Sequence, residues 1–245
     1  MPLSRCNGGW RPTSRGPRKV KRPNLFRRPS SPAGRSYARA SLDGGRTPWR
    51  DARYCVVDLE LSGLDPLSDE IISFAAVPID SGRIIAGDAM YGLCRPTRPV
   101  PEQSILIHGL RTLDLEEAPP IDEAIQPLLG AMAGRVTVAH VAWVERSFLG
   151  RALSRQGIRL REPILDTYEM GRLLATTRHD SPPPLDLSDL AESLALPVHR
   201  PHHALGDALT TAQVFLALAT HLDELSPETV KSLARARARA RDFTV

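Results

Sequence analysis

The sequence predicts an α/β domain built on a mixed sheet. Three β-rich runs come first, and short apolar strands alternating with helical periodicity follow them. An apolar fraction of 42% over 245 residues is enough for one sizeable core. That core is expected to begin near residue 51, where the composition changes.

Residues 1–50 are dense in Arg, Pro, Gly and Ser and have no hydrophobic period, so they are expected to be a disordered basic tail. Residues 54–60 (YCVVDLE) read as the first strand and residues 70–80 (EIISFAAVPID) as the second. Ser81-Gly82 supplies a turn, and residues 83–95 complete an opening meander as a third strand. Helical spacing follows over residues 121–132, just after Pro119-Pro120. Residues 136–140 form a short strand, and residues 143–156 a helix with Val144, Phe148 and Ala152 on one face. A strand over 163–166 leads to a helix through Leu174, a loop over 176–184 and a short helix over 187–194. The long helix over 204–222 has an apolar stripe of Leu205, Ala208, Leu209, Ala212 and Leu216. Ser226-Pro227-Glu228 has the chemistry of a helix start, with Ser at the N-cap and Pro at N1. The Arg-rich helix it would open fills residues 223–245, leaving 51–222 as the main domain. Alternation of Arg235, Arg237, Arg239 and Arg241 at every second residue spreads their charge around that helix, as on a solvated face.

Charge divides the chain. Residues 1–53 hold 14 of the 32 Lys+Arg and two of the 28 acids, so a net +12 precedes a net −8. A basic tail of this kind suits electrostatic attraction to nucleic acid, or no role at all. No apolar run has the ~18–20 residues of a membrane helix. The N-terminus lacks the apolar segment of a secretory signal, and its five prolines between Pro12 and Pro32 oppose an amphipathic transit helix. Three widely spaced cysteines match neither a disulfide framework nor a zinc pattern. A reducing, cytoplasmic setting is expected.

Chemistry concentrates at three places. Asp58 and Glu60 end the first strand, and as i, i+2 neighbours both project to one face. Paired anions there repel unless a cation lies between them, and Mg²⁺ takes carboxylate oxygens; a solvated strand end is the plainer reading of that pair alone. Asp207 lies in the first turn of the long helix, where the helix dipole favours an anion. His202 precedes it in a loop, and imidazole is the side chain best suited to take a proton near neutral pH. The His199, His202, His203 cluster lacks a fourth ligand for zinc. Glu145 stands at the edge of the apolar face of its helix, as an ordinary N-terminal acid or as a third carboxylate turned towards Asp58 and Glu60.

The ordered set is D-x-E, then A-H-x-A-x-x-E-x-x-F-L over residues 139–149, then H-x₄-D-A at residues 202–208. It resembles the histidine-containing branch of the DEDD 3′→5′ exonucleases, the DnaQ-like group of proofreading subunits, ribonuclease T and oligoribonuclease. Asp58–Pro66 (DLELSGLDP), Ile107-His108-Gly109-Leu110 and Leu165-Asp166-Thr167 fit as well, and the likeness covers roughly residues 54–220. It implies a ribonuclease-H-like mixed five-stranded sheet flanked by helices. It also implies two Mg²⁺ or Mn²⁺ ions held by Asp58, Glu60, Glu145 and Asp207, with His202 as general base. Leu61, Ser62, Gly63 and Leu64 would surround the 3′-terminal nucleotide of single-stranded DNA or RNA. Relatives in this branch allow a polymerase partner and a homodimer; a nucleic-acid-binding or polymerase-associated module on a weakened nuclease fold is the alternative. Two positions depart from the family pattern: Val141 replaces the usual Asn and Glu145 the usual Asp.

Overall fold

The computed structural model describes residues 29–242. Six strands form one mixed sheet: β1 (Tyr54–Leu61), β2 (Ile71–Asp80), β3 (Arg83–Ile84), β4 (Met90–Leu93), β5 (Val136–Ala139) and β6 (Ile164–Asp166). Their order is β3-β2-β1-β5-β6, and β4 also pairs with β2. β1 runs antiparallel to β2 and parallel to β5, which is parallel to β6. The expected third strand is interrupted between Ile84 and Met90 by a 3₁₀ turn at Ala86–Asp88. Pro78 explains the break: its carbonyl accepts from Ile85 N (2.9 Å), but it has no N–H to return to that edge.

Ten helices surround the sheet among the described residues. They are α1 (Pro32–Arg39), α2 (Glu102–His108), α3 (Ile121–Ala124), α4 (Gln126–Met132), α5 (Trp143–Arg155), α6 (Thr167–Arg178), α7 (Leu187–Ser193), α8 (Ala204–Leu225), α9 (Val230–Leu233) and α10 (Ala236–Asp242). The single helix expected over 121–132 is two helices meeting at Ile125, with Pro127 in the first turn of the second. Strand alternation sorts the core into two layers. Tyr54, Val56, Val77 and Ile79 pack with α6, α7 and α8, whereas Cys55, Val57, Leu59, Phe74 and Ala76 pack with α4 and α5. Both faces are apolar, which is why β1 and β2 read as almost unbroken hydrophobic runs.

Residues 29–50 are not a disordered tail; the earlier part of that expectation, residues 1–28, lies outside the described residues. Ser31 caps α1, with its Oγ accepting from Gly34 N (3.0 Å). Tyr37 is buried, and its hydroxyl accepts from Arg161 N (2.9 Å). Trp49 is 1% exposed and meets Phe215 edge-on at 6.2 Å. Its carbonyl accepts from the Tyr54 hydroxyl (2.8 Å). Two aromatic anchors are thus enough to bind a polar segment to the core, and composition averaged over 50 residues conceals them. Trp49→Ala is expected to destabilise the protein by about 3–5 kcal/mol, the usual range for emptying a large aromatic site. Thermal unfolding checks it, with a fall of roughly 10 °C expected at this chain length.

The C-terminal segment is also corrected. Ser226 ends α8 instead of opening the next helix, and Thr229 is the N-cap, accepting from Ser232 N (3.2 Å). The delay has a tertiary cause. The Glu228 carbonyl accepts from Trp49 N (3.2 Å) and Thr229 bridges to Pro48, so the backbone there must stay extended. The arginines that follow are not simply solvated: Arg239 pairs with the buried Glu228 (2.7 Å), and Arg237 lies 3.6 Å from Glu169. α10 packs on α6, with Ala236 and Ala240 in the core.

Candidate active site

Asp58 and Glu60 lie on the α8-facing side of β1, opposite Ala75 and Ser73 of β2. Tyr54 and Val56 occupy the same face and are buried, so the strand's own alternation carries the two carboxylates to the edge of the apolar layer. α8 delivers Asp207 there from its first turn. The ligand atoms of Asp58, Glu60 and Asp207 lie within 4.8 Å of one another. No lysine or arginine forms an ion pair with any of the three among the described residues.

Their ionisation reflects this crowding. Burial holds Asp58 well above the usual carboxylate range, with the charges of Glu145, Asp207 and Glu60 adding to it. Burial, then Asp207, pushes Glu60 up to about 7. Burial raises Asp207 to about 6, although its Oδ2 accepts from His202 N (2.9 Å), which works the other way. Mutually repelling acids without a counter-charge are a donor set for a hard divalent cation, and the three residues can hold one.

Glu145 stands outside the 4.8 Å group but acts on Asp58 more strongly than the other two acids do. It is 3% exposed, and its Oε2 has no hydrogen-bond partner. Burial first, and then the charge of Asp166, pushes it up to about 8. The sequence motif Leu165-Asp166-Thr167 assigns Asp166 no role of its own, and the structure supplies one. Its carboxylate accepts from Val141 N (3.1 Å), Ala142 N (3.0 Å) and Tyr168 N (3.0 Å), pinning the turn that launches α5. Within that turn Val141 has φ +55°, a conformation that β-branched residues avoid and Asn tolerates. Val141→Asn is expected to stabilise the protein by about 1–2 kcal/mol, the cost of a left-handed residue. A rise in melting temperature at constant denaturant m-value checks it.

The loop before α8 is held flat against that helix. A Cβ on Gly206 would collide with the carbonyl oxygens of His199 and Arg200. Thr210 Oγ1 accepts from His199 N (3.0 Å), and Gln213 reaches the His199 ring at 2.6 Å. His199 is therefore a tether. His203 is half-buried and stacks on Tyr91 with 4.6 Å between ring centroids. His202, at φ +58°, is exposed beside the carboxylates, with its backbone N–H on Asp207. His140 is occupied structurally: Nε2 lies 2.7 Å from the Leu185 carbonyl and Nδ1 lies 2.9 Å from Thr167 Oγ1.

Residues 61–64 divide into buried and exposed members. Leu61 belongs to the core, and Ser62 closes the loop by accepting from Glu70 N (3.0 Å) and donating to Asp69 (3.2 Å). Gly63 leaves no room for a Cβ beside Asp69, whereas Leu64 is 67% exposed. α2, absent from the sequence expectation, joins this rim: Ser104 Oγ donates to the Ser62 carbonyl (2.8 Å). His108 ends α2 and its Nδ1 accepts from Leu110 N (3.0 Å); burial lowers its pKa, the Leu61 backbone works against that, and the charge of His202 adds to the lowering.

The family model described as an exonuclease of the RNase T type matches residues 55–215. The chain belongs to this exonuclease family. It is an exonuclease-type hydrolase domain, as the DnaQ-like motifs implied. It is 36% identical over 167 residues to a Thermotoga maritima protein named DNA polymerase III PolC-type, covering 68% of this chain and 12% of that protein. It is 34% identical over 175 residues to a Rhodobacter capsulatus DNA polymerase III subunit epsilon-like protein, covering 70% of this chain and 24% of that one. The chain thus spans under a quarter of each relative's length. Its fold matches exonuclease X in complex with 5′-overhanging duplex DNA, with TM-score 0.58, 22% identity, and 75% of this chain and 99% of that one covered. It also matches Escherichia coli exonuclease I with a dT13 oligonucleotide, with TM-score 0.62, 16% identity, and 71% and 42% covered. The ribonuclease-H-like reading of the sheet agrees with these folds. No helix of the described residues is long and apolar enough to cross a membrane.

Proposed function

We propose that this chain removes nucleotides from the 3′ end of single-stranded nucleic acid by metal-dependent hydrolysis, with DNA as the principal substrate. The observation that carries the reading is the convergence of Asp58, Glu60 and Asp207, three carboxylates with raised pKa values and no cationic partner. In this reading they hold two divalent ions, Mg²⁺ or Mn²⁺, with Glu145 as the fourth carboxylate after a small adjustment of its side chain. Such ions, when bound, lower the pKa of an attacking water and stabilise the attacking and leaving oxygens. His202 would take the proton from the attacking water as its oxygen bonds to the terminal phosphorus; the bond to the upstream 3′ oxygen breaks, that oxygen takes a proton from solvent, and a 5′-nucleotide leaves. Exposure of His202 suits a group that must approach substrate and then return its proton to solvent. Leu64 and Gly63 contact the terminal nucleotide, on a backbone that Ser62 and Leu61 hold in place.

The DNA preference is supported by the DNA-bound exonucleases whose fold this chain shares. Association with a replicative polymerase is supported by the relatives named as polymerase III proteins. A reducing, cytoplasmic setting fits the buried free thiols of Cys55 and Cys94. Homodimerisation rests on the family likeness alone and is read by sedimentation.

The position of Glu145 outside the three-carboxylate group favours a second reading, a weakened nuclease that binds nucleic acid without cutting it. Digestion of oligonucleotides labelled at the 5′ end separates the two. A ladder that shortens from the 3′ end with Mg²⁺ or Mn²⁺ and stops with EDTA supports the nuclease. A mobility shift without shortening under either metal supports the alternative.

A further inference from the structure

Beyond the carboxylate site, the domain has a second concentration of charge, of the opposite sign. A cavity of about 300 Å³ is lined by Arg95, Arg98, Arg151 and Arg155, above a floor of Ile71 and Phe148. None of the four arginines forms an ion pair among the described residues, although Arg53, Arg111, Arg135, Arg146, Arg172, Arg237 and Arg239 all do. The two acids at the rim are already engaged. Asp69 accepts from Ser62 Oγ (3.2 Å) and Asp65 N (2.9 Å), and Glu70 from Thr97 N (2.8 Å) and Thr97 Oγ1 (2.9 Å). Two of the guanidiniums are positioned by main-chain carbonyls: Arg95 donates to Glu116 O (3.4 Å) and Arg151 to Pro66 O. Arg98 and Arg155 are exposed. In a domain that is acidic overall, four arginines lining one cavity over an apolar floor make a receptor for a phosphate, which arginine's planar fork matches.

The location specifies which phosphate. Arg151 follows Glu145 by six residues on α5, a displacement of about 9 Å along the helix. The same cavity borders the 62–70 loop that leaves β1 just after Glu60. Phosphates on a stacked strand rise ~3.4 Å per nucleotide, so a strand ending at the carboxylates would bring its second or third internal phosphate near the arginines. We propose that this cavity binds the backbone of the substrate strand two to three nucleotides upstream of the end being cut. The proposal rests on the nuclease reading for which end sits at the carboxylates, but the phosphate contact itself does not depend on catalysis.

The test uses the double variant Arg98→Ala/Arg155→Ala, whose two exposed side chains come from separate elements. Its melting temperature is compared with the parent's as a check on folding. Binding of a fluorescent 20-nucleotide strand is measured by anisotropy in EDTA from 50 to 300 mM salt. Loss of two phosphate contacts is expected to weaken binding by roughly 10-fold at low salt and to reduce the salt slope by roughly 1.4. Hydrolysis of the 20-mer should show a matching rise in KM, with kcat/KM for a dinucleotide unchanged. Restoring both charges as lysine should recover most of the salt slope. An unchanged Kd and slope, or an equal loss on the dinucleotide, would overturn the proposal. So would a phosphate or mononucleotide that raises the parent's melting temperature but not the variant's while 20-mer binding stays equal, since the cavity would then serve a free phosphate. If neither protein cuts any substrate, the nuclease reading fails and the anisotropy result still decides the phosphate site.

Discussion

Asp58→Asn is expected to reduce hydrolysis by more than the ~10–100-fold typical of losing a residue that merely supports a ligand, and to make the metal-free protein more stable at pH 8. Both effects come from one cause. Asp58 is half-buried among three other acids, and burial first, then the charges of Glu145, Asp207 and Glu60, raise its pKa. Ionised, the group opposes folding unless a cation joins it; neutral, it removes the repulsion together with the ligand. The pH dependence follows from the raised values: about 6 for Asp207, 7 for Glu60 and 8 for Glu145, against ordinary values of 3.8, 4.5 and 4.5. Acids whose folded pKa is raised bind more protons when folded. The stability they contribute is complete below pH ~4 and is lost as pH rises through 6 to 8. In EDTA the parent's melting temperature should therefore fall across this window, and that of Asp58→Asn should fall less. Mn²⁺ at a hundred times its dissociation constant should return ~2.7 kcal/mol to the parent and little to the variant. Its affinity for the parent should rise over the same pH range, as bound protons must leave first. A metal-induced shift that survives in Asp58→Asn, or activity within tenfold of the parent, would refute the metal assignment.

His202→Ala is expected to lower kcat by roughly 10²–10⁴-fold with KM nearly unchanged, the range for losing a general base. His203→Ala should do the reverse of this in kind. It removes a ring stacked on Tyr91, worth ~0.5–1.5 kcal/mol of stability, and leaves kcat within a few-fold. The adjacent pair is a sharp comparison because both residues occupy one short loop, tied to α8 through Thr210, Gln213 and the close approach at Gly206. A loop displaced by either truncation would affect both variants alike. Equal kcat for His202→Ala and the parent would move the base elsewhere, and His108 at the end of α2, whose pKa the charge of His202 lowers, would be the next residue to substitute.

Where the sequence was readable, the reason is local. The D-x-E of β1 needs only strand alternation to bring both carboxylates to one face, and Asp207 needs only a helix start. Glu145 required more. Its distance from the other acids depends on how the β5–α5 turn is pinned by Asp166, a residue 21 positions further along the chain. α2 and the interrupted β3–β4 edge were missed for a related reason: each is decided by a neighbour, Ser62 in one case and Pro78 in the other.

The basic stretch before residue 51 gives the clearest division. Patterns repeated every two or four residues determine strands, helices and the carboxylate pair from within a single segment. A segment without such a pattern is ordered only if distant surfaces accept its few anchors. Tyr37 and Trp49 have those partners in Arg161, Phe215 and the Glu228 carbonyl, more than 100 residues away in sequence. The same contacts hold Glu228 and Thr229 extended and so move the start of α9. Local periodicity thus determined the domain type and three metal-ligand candidates. Long-range packing alone decided the ends of the domain, the place of Glu145 and the arginine cavity, because the energies involved exist only between segments that folding brings together.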